Sequence, residues 1–285
     1  MRQVAIVTDT TACVPPEKVA EYDIEVVPVP LIINEKTYRD GIDITPTQFY
    51  GMLRQSKKLP TTSASSPSPY LEAFRNASRK APCVLCLTEP SRFSAMYNSA
   101  RTAMETARTA LKNVSIEVIE CTTAAAGQGL VALAAARAAA SGKVLDEIKQ
   151  TINSIMHRVN LFAVIDNLRY LARSGRVPQA AAIVDSILNI KPLFTLNHAN
   201  PRLVGLPTSV KGAIGRIVNL ISKTTHDGNP LHIAVMHADA LEQATSLKEK
   251  ITSRFNCQEI YITEFTPVMG VHTGPGLLGV AFYEE

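Results

Sequence analysis

The amino-acid sequence predicts an α/β protein built from two domains. Short apolar runs of strand length alternate with longer helical patterns through the first half of the chain, which is typical of a parallel sheet with crossover helices. In the second half, predicted strands and helices no longer alternate regularly. The chain has 285 residues, of which 46% are hydrophobic, and this is enough for one large or two modest cores.

Residues 1–155 are expected to form a domain with a parallel sheet and helices on both faces. Pro28 and Pro30 place the second strand at an edge or make it irregular, because proline has no N–H to donate to a sheet. Thr45-Pro46 and Ser68-Pro69 mark two helix starts, each a capping residue followed by proline. The predicted strands are 4–7, 26–33, 84–87 and 116–119, and two further helices are predicted at 94–111 and 124–140.

Residues 156–285 are expected to form a second α/β domain with a mixed or antiparallel sheet. A ligand site between or beside the two domains is expected, because domain interfaces are favoured places for ligands. An amphipathic helix at 144–159 should lie near the boundary. The predicted strands are 161–165, 190–196, 203–206, 233–237, 259–263 and 280–283, and the predicted helices are 167–173, 178–188, 210–224 and 239–255.

The composition argues against several classes of function. A net charge of +4, without clustered lysines and arginines interleaved with aromatic residues, does not fit a nucleic-acid-binding protein. No apolar run reaches about 18 residues and the N-terminus lacks the pattern of a signal peptide, so stable membrane insertion is not expected. Five scattered cysteines indicate a reducing cytoplasm, with Cys83 and Cys86 buried in a strand. The six histidines lack metal-site spacing, so neither a metal nor another cofactor is expected.

Three polar loops interrupt this apolar chain where strand patterns give way to helices or to the final strand. They supply hydroxyl and backbone N–H donors, which suit the binding of an anion. Thr62, Ser63 and Ser94 are the candidate donors, although each could serve only as a turn or helix-cap residue. His272 lies beside Thr273 in a loop bounded by glycine and proline, and is a further candidate. The loops read TTSASSPSP from Thr61, SRFSAMYNSA from Ser91 and VHTGPG from Val271.

Asp9 follows the first predicted strand and admits two interpretations. It could be a phosphatase-type nucleophile, but Thr11 stands where such sites carry a second aspartate. Alternatively, Asp9 and Thr11 cap the turn by bonding backbone N–H groups. Gly127 and Gly129 match a dinucleotide-binding pattern in the wrong structural context, and close helix packing explains them better.

The same segments carry a resemblance to the DegV family of bacterial fatty-acid-binding proteins. The resemblance runs from end to end of the chain, and the number and order of the short motifs make it strong. The matching strings are VTDTTACVPPE, YRDGIDITPTQFY, the TTS loop, FSAMYNSA, LRYLARSGRV, ILNIKPLFTL and VHTGPGLLGVAFY.

The resemblance implies a long-chain fatty acid whose carboxylate is held by Thr62 and Ser94. It further implies that His272 lies near the head group, and we predict that His272 does not form the pocket wall. Ser63, Asp9 and Arg176 are expected at the head group or behind these residues, and Lys191 also aligns with a basic family residue.

In this family the bound acid is offered to a separate ATP-binding kinase protein, so the chain is expected to bind and not to catalyse. Three departures bear on this: Ala64-Ser65 replaces Gln-Pro, Ala95-Met96 replaces Gly-Thr, and Lys211 is the only basic residue in 207–211, where the family tends to carry an arginine. The alternative functions are a small hydrolase or phosphatase that uses Asp9 and His272, and a ligand-sensing regulator.

Overall fold

The computed structural model describes residues 2–56, 58–63, 66–183 and 190–285. Its first half contains, in chain order, β1 (Val4–Asp9), α1 (Pro16–Tyr22), β2 (Glu25–Val27), β3 (Pro30–Ile33), β4 (Lys36–Arg39), α2 (Pro46–Gln55), β5 (Thr61–Thr62), α3 (Pro67–Ser78), β6 (Cys83–Thr88), α4 (Met96–Ala110), β7 (Ser115–Glu120), α5 (Ala126–Ala140) and α6 (Leu145–Arg158).

The second half follows with β8 (Asn160–Val164), α7 (Leu168–Ser174), α8 (Pro178–Ile183), β9 (Leu193–Asn197), β10 (Asn200–Gly205), α9 (Val210–Thr224), β11 (Leu231–His237), α10 (Leu241–Thr252), β12 (Cys257–Glu264), α11 (Pro267–Thr273) and β13 (Leu278–Glu284). The predicted helix 178–188 is confirmed as far as Ile183, and 184–188 lie outside the described residues.

A four-stranded parallel sheet in the order β2-β1-β6-β7 forms the centre of the first half. Its central strands, β1 and β6, are almost fully buried because α3 and α4 pack on one face and α5 on the other. The predicted strand 26–33 is wrong as one element. Glu25–Val27 joins the parallel sheet, whereas Pro30–Ile33 pairs with β4 and β5 in a separate antiparallel sheet. The two prolines explain the break, since neither Pro28 nor Pro30 can donate an N–H to a ladder.

The second half is built on a six-stranded sheet in the order β10-β9-β8-β13-β11-β12. Only β11 and β12 run parallel within it, and its other neighbours are antiparallel. Helices α9 and α10 cover its outer face. The predicted α/β class, with a parallel sheet first and a mixed sheet second, is therefore confirmed. The boundary predicted at residue 155 falls within α6 and stays a prediction.

Helix α5 packs between the two sheets. It contacts β1 and β6 of the parallel sheet and β11 and β13 of the mixed sheet. Thirteen of its fifteen residues are buried, as expected for a helix that is apolar all round. Gly129 allows one of these contacts, because a Cβ atom at that position would lie 2.5 Å from the carbonyl oxygen of Ala12. The interpretation of Gly127 and Gly129 as packing residues agrees with this geometry.

Candidate ligand-binding site

An apolar cavity of about 170 Å³ lies between residues of both halves of the chain. Strands β8, β9 and β11 supply part of its wall, and α7 and α11 supply another part. Its apolar lining residues are Val29, Phe93, Met96, Ala124, Ala125, Leu161, Ala163, Ile165, Leu171, Val177, Phe194, Leu196, Pro201, Met236, Phe265, Val268, Met269 and Leu277. That a ligand site lies between or beside two domains stays a prediction.

A second, polar pocket adjoins the apolar cavity. Thr62, Arg176 and His272 line both spaces, so they lie where the apolar wall gives way to a polar one. The polar pocket also includes Tyr170 and Arg173. This arrangement provides an apolar slot with hydrogen-bond donors and positive charge at one end.

Thr62 lies in the two-residue strand β5, where the sequence suggested a loop. It pairs with Leu31 of β3 and is half-buried. Its hydroxyl oxygen lies 3.3 Å from Nε2 of His272. The next residue, Ser63, also lines the apolar cavity, and its N–H donates to the carbonyl of Pro30. Residues 64–65, where the sequence departs from the family pattern, lie outside the described residues.

His272 lies in the last turn of helix α11, so the prediction that it sits in a loop is wrong. Pro267 occupies the first turn of α11, and Asp40 accepts a 3.0 Å hydrogen bond from the N–H of Val268. Gly274 ends the helix at φ +69°, a conformation that glycine adopts without strain. The glycine and proline of this segment therefore stop a helix instead of forming an open loop.

His272 also lines the apolar cavity, so the expectation that it stays out of the wall is wrong as well. Burial, and secondarily the positive charge of Arg176, lower the pKa of His272 to about 4. The imidazole is therefore neutral at neutral pH. Its Nε2 either donates to the Thr62 hydroxyl or accepts from it.

Ser94 lies two residues before α4, and the predicted helix start at 94 is corrected to Met96. The Ser94 hydroxyl accepts a hydrogen bond of 3.1 Å from the N–H of Met96. Among the described residues of this loop, Phe93 and Met96 line the cavity, whereas Ser94 does not. Met96 thus contributes apolar surface to the cavity wall.

Arg176 is held by two backbone carbonyls. Its Nε donates to Phe93 at 3.2 Å and its Nη1 to Ser174 at 2.7 Å. These bonds fix a half-buried guanidinium beside the cavity, where it can attract an anion. Lys191, the other basic residue of the resemblance, forms an ion pair with Asp166.

Asp9 is buried behind the cavity and does not line it. Its carboxylate accepts hydrogen bonds from the N–H and the hydroxyl of Thr11 and from the hydroxyl of Tyr70. Burial raises the pKa of Asp9, and these hydrogen bonds oppose the rise. The interpretation of Asp9 as a turn cap is confirmed by the bond from the Thr11 N–H.

Glu89 is a cavity residue that the sequence analysis missed. It follows the last residue of β6 and is only 6% exposed. Burial, together with the negative charge of Asp9, raises its pKa to about 8, although a hydrogen bond from Ser94 and the charge of Arg176 oppose this shift. The available sequence signal was a carboxyl group directly after a buried strand. That signal does not show that Glu89 is buried, because its burial depends on distant parts of the chain.

Residues 2–56, 58–63, 66–183 and 190–285 contain no group of three or more His, Cys, Asp or Glu side chains that could hold a metal ion. In the same part of the chain, none of the helices combines the length and the apolar character needed to cross a membrane.

The chain resembles known proteins over its whole length. A family model described as "Uncharacterised protein, DegV family" matches residues 3–285. A DegV domain-containing protein of Caldanaerobacter subterraneus subsp. tengcongensis is 31% identical over 285 residues, with 100% of both chains covered. The protein DegV of Bacillus subtilis is 28% identical over 289 residues, with 98% of both chains covered.

Solved structures show the same architecture. That of DegV from Bacillus subtilis, described as a fatty acid binding protein, has a TM-score of 0.87 at 26% identity and covers 100% of both chains. A fatty acid binding DegV family protein from Streptococcus agalactiae has a TM-score of 0.86 at 25% identity, again over 100% of both chains. A DegV family protein from Thermus thermophilus has a TM-score of 0.91 at 24% identity, with 99% of this chain and 100% of that one covered.

Proposed function

The chain belongs to the DegV family, and we propose that it binds one long-chain fatty acid in the apolar cavity. The observation that carries this proposal is the position of Thr62, Arg176 and His272, which line both the apolar cavity and the adjoining polar pocket. An amphiphile with an acyl chain and an anionic head group matches both spaces. Relatives described as fatty acid binding proteins support the same ligand class.

The energetics of such a ligand favour an apolar cavity with a polar end. Burying roughly 14 methylene groups at about 0.8 kcal/mol each gives a gross gain on the order of 10 kcal/mol, before the entropy lost on binding. The carboxylate needs partners, because burying a bare charge is very costly. We propose that Thr62 and Ser94 supply hydroxyls to it, with Ser63, His272 and Arg176 around them and Asp9 supporting the turn behind.

Presentation to a kinase is the second part of the proposal. In it, a separate ATP-binding protein transfers the γ-phosphoryl group of ATP to the carboxylate, which yields an acyl phosphate and ADP. The chain itself would bind and present the acid in the cytoplasm without catalysing a reaction. The polar pocket supports this idea because it adds Arg173, which does not line the apolar cavity, to Arg176 and His272 at the boundary of the two spaces. A role in transport of the acid uses the same binding site.

A hydrolase or phosphatase that uses Asp9 and His272 is disfavoured by one observation. Both carboxylate oxygens of Asp9 accept hydrogen bonds from Thr11 or Tyr70, and Asp9 does not line the cavity. Purified protein should therefore hydrolyse neither phosphate esters nor acyl esters. A rate that disappears in Asp9→Asn would favour this alternative, and binding without any kinase in the cell would favour a ligand-sensing regulator.

The binding proposal is tested by mass spectrometry of the purified protein. Native spectra should show a mass increment of one fatty acid per chain, and organic extracts should contain the free acid. Delipidated protein should then take up added palmitate. Protein that carries no fatty acid after purification and takes none up after delipidation would overturn the proposal.

A further inference from the structure

Glu89 brings a buried carboxyl group to the polar end of the cavity. Its side chain lines the cavity and is 6% exposed. Its carboxyl interacts with the Ser94 hydroxyl, which also accepts the N–H of Met96. The Arg176 guanidinium lies close enough to act on both Glu89 and His272. Glu89 thus belongs to the same group of side chains as Thr62, Arg176 and His272.

A fatty acid bound in the proposed orientation would bring a second carboxyl group to this place. Two carboxylates that share a buried site do not both ionise, because their repulsion and their desolvation favour a shared proton. Resting on the proposed function, we propose that Glu89 is a ligand-binding residue that stays protonated in the complex and donates its O–H to the fatty acid carboxylate. One proton then joins two carboxyl oxygens in a charge-assisted hydrogen bond.

The charges around Glu89 support its protonated state. Asp9 at the end of β1 adds negative charge, and His272 on α11 is neutral at neutral pH, so neither stabilises an ionised Glu89. Arg176, which follows α7, is the opposing positive charge. Burial prevails, and the pKa of Glu89 is raised to about 8. A free carboxyl with that pKa is mostly protonated at neutral pH.

The proposal predicts how affinity depends on pH and on head group. Because Glu89 must hold a proton when an acid binds, affinity for a fatty acid should fall by up to about tenfold per pH unit above about pH 8. A fatty alcohol needs no such proton, because an ionised Glu89 can accept the hydrogen bond of its hydroxyl. The preference for acid over alcohol should therefore decrease as pH rises.

The experiment compares palmitate and hexadecanol on delipidated protein between about pH 6.5 and about pH 9.5. Wild type should lose palmitate affinity across the upper part of this range and keep its affinity for hexadecanol. Glu89→Gln carries an amide that donates at every pH, so its palmitate affinity should not change with pH. Glu105→Gln is the matched control, because Glu105 is half-exposed on α4 and pairs with Arg108 away from the cavity.

A second readout does not depend on ligand. Infrared difference spectra of protein with isotope-labelled glutamate should contain a protonated-carboxyl band that titrates near pH 8 and is missing in Glu89→Gln. The absence of such a band in wild type would overturn the proposal even if the variant does not fold.

The binding outcomes separate the two proposals. Palmitate binding that is tight but independent of pH in wild type overturns the role of Glu89 and leaves fatty acid binding intact. The same result follows if Glu89→Gln keeps the pH dependence of wild type. Protein that binds palmitate at no pH overturns both proposals together.

Discussion

The hydroxyl oxygen of Thr62 lies 3.3 Å from Nε2 of His272, although 210 positions separate the two residues in sequence. A short edge strand of the first half thereby meets the last turn of α11 at the polar end of the cavity. Their contact provides a hydroxyl and a neutral ring nitrogen at one point on the cavity wall.

Replacing Thr62 by alanine should weaken fatty acid binding by about 1–3 kcal/mol, because one hydrogen bond to a charged group is lost. Isothermal titration of delipidated protein measures this change. Thr245→Ala is the control, since Thr245 is exposed on α10 and lines neither the apolar cavity nor the polar pocket. Equal affinities for Thr62→Ala, the double variant with Ser94→Ala and wild type would exclude the proposed carboxylate ligands.

Acid should destabilise the protein through His272. The folded-state pKa of about 4 lies below the usual value of 6.5, so the unfolded state binds a proton first as pH falls. The stabilising contribution is complete above about pH 6.5 and is lost between there and about pH 4, by up to about 3 kcal/mol. Urea unfolding of wild type and His272→Gln at several pH values measures the loss. The variant should lose less stability on acidification, and identical losses would contradict the assignment.

Gly274→Ala should destabilise the protein by about 1–3 kcal/mol and weaken ligand binding. Alanine at φ +69° is strained, and its Cβ would overlap the ring of Tyr170. Gly215→Ala is the matched control, because Gly215 lies inside α9 with open space around its Cβ position. That change should be neutral or stabilise by up to about 1 kcal/mol. Denaturant unfolding of both variants measures the change in the free energy of unfolding. Equal changes would show that the end of α11 does not require glycine at position 274.

Replacing Asp40 should destabilise the protein through α11, by an amount that depends on whether the new side chain keeps an acceptor oxygen. Asp40→Ala removes the buried acceptor of the Val268 N–H and should cost about 1–3 kcal/mol. Asp40→Asn keeps an acceptor oxygen and should cost less.

A pH series gives a further check on Asp40. Burial raises the pKa of Asp40 to about 7, so the contribution of this one group to wild-type stability decreases as pH rises from about 4 to about 7, opposite in sign to that of His272. Chemical denaturation should show that the free energy of unfolding of Asp40→Asn increases relative to that of wild type over that range. A constant difference between the two proteins would mean that Asp40 titrates normally.

Elements with a strong local signal could be predicted from sequence. The apolar runs at β1 and β6 are buried strands, the run at β7 is a strand that is mostly half-buried, and Thr45 caps α2 in a capping box with Gln48. The turn after β1 was also predictable, because aspartate caps through its own carboxylate two residues on.

The features that could not be predicted from sequence depend on contacts between distant segments of the chain. Helix α11 has only seven residues, and its glycines and proline suggested a loop. It forms because Asp40 satisfies one of its first N–H groups and because it packs against α2, α7 and β3. The burial of Glu89 was missed for the same reason, since an acidic residue after a strand is usually exposed. Glu89 lines the same cavity as residues of the second half such as Arg176, which the local sequence does not indicate.

Helix α5 has a consequence for how a ligand enters and leaves. Because its buried residues contact strands of both sheets, moving the halves apart would expose to water the apolar surface that α5 buries against one of them. A hinge motion of the two halves would therefore be a costly way to empty the cavity. We expect exchange to require local displacement of α7 or α11, which contact each other and supply part of the cavity wall. Release would then be governed by the lifetime of that contact, and a partner protein that displaces α7 or α11 would set the rate of lipid delivery.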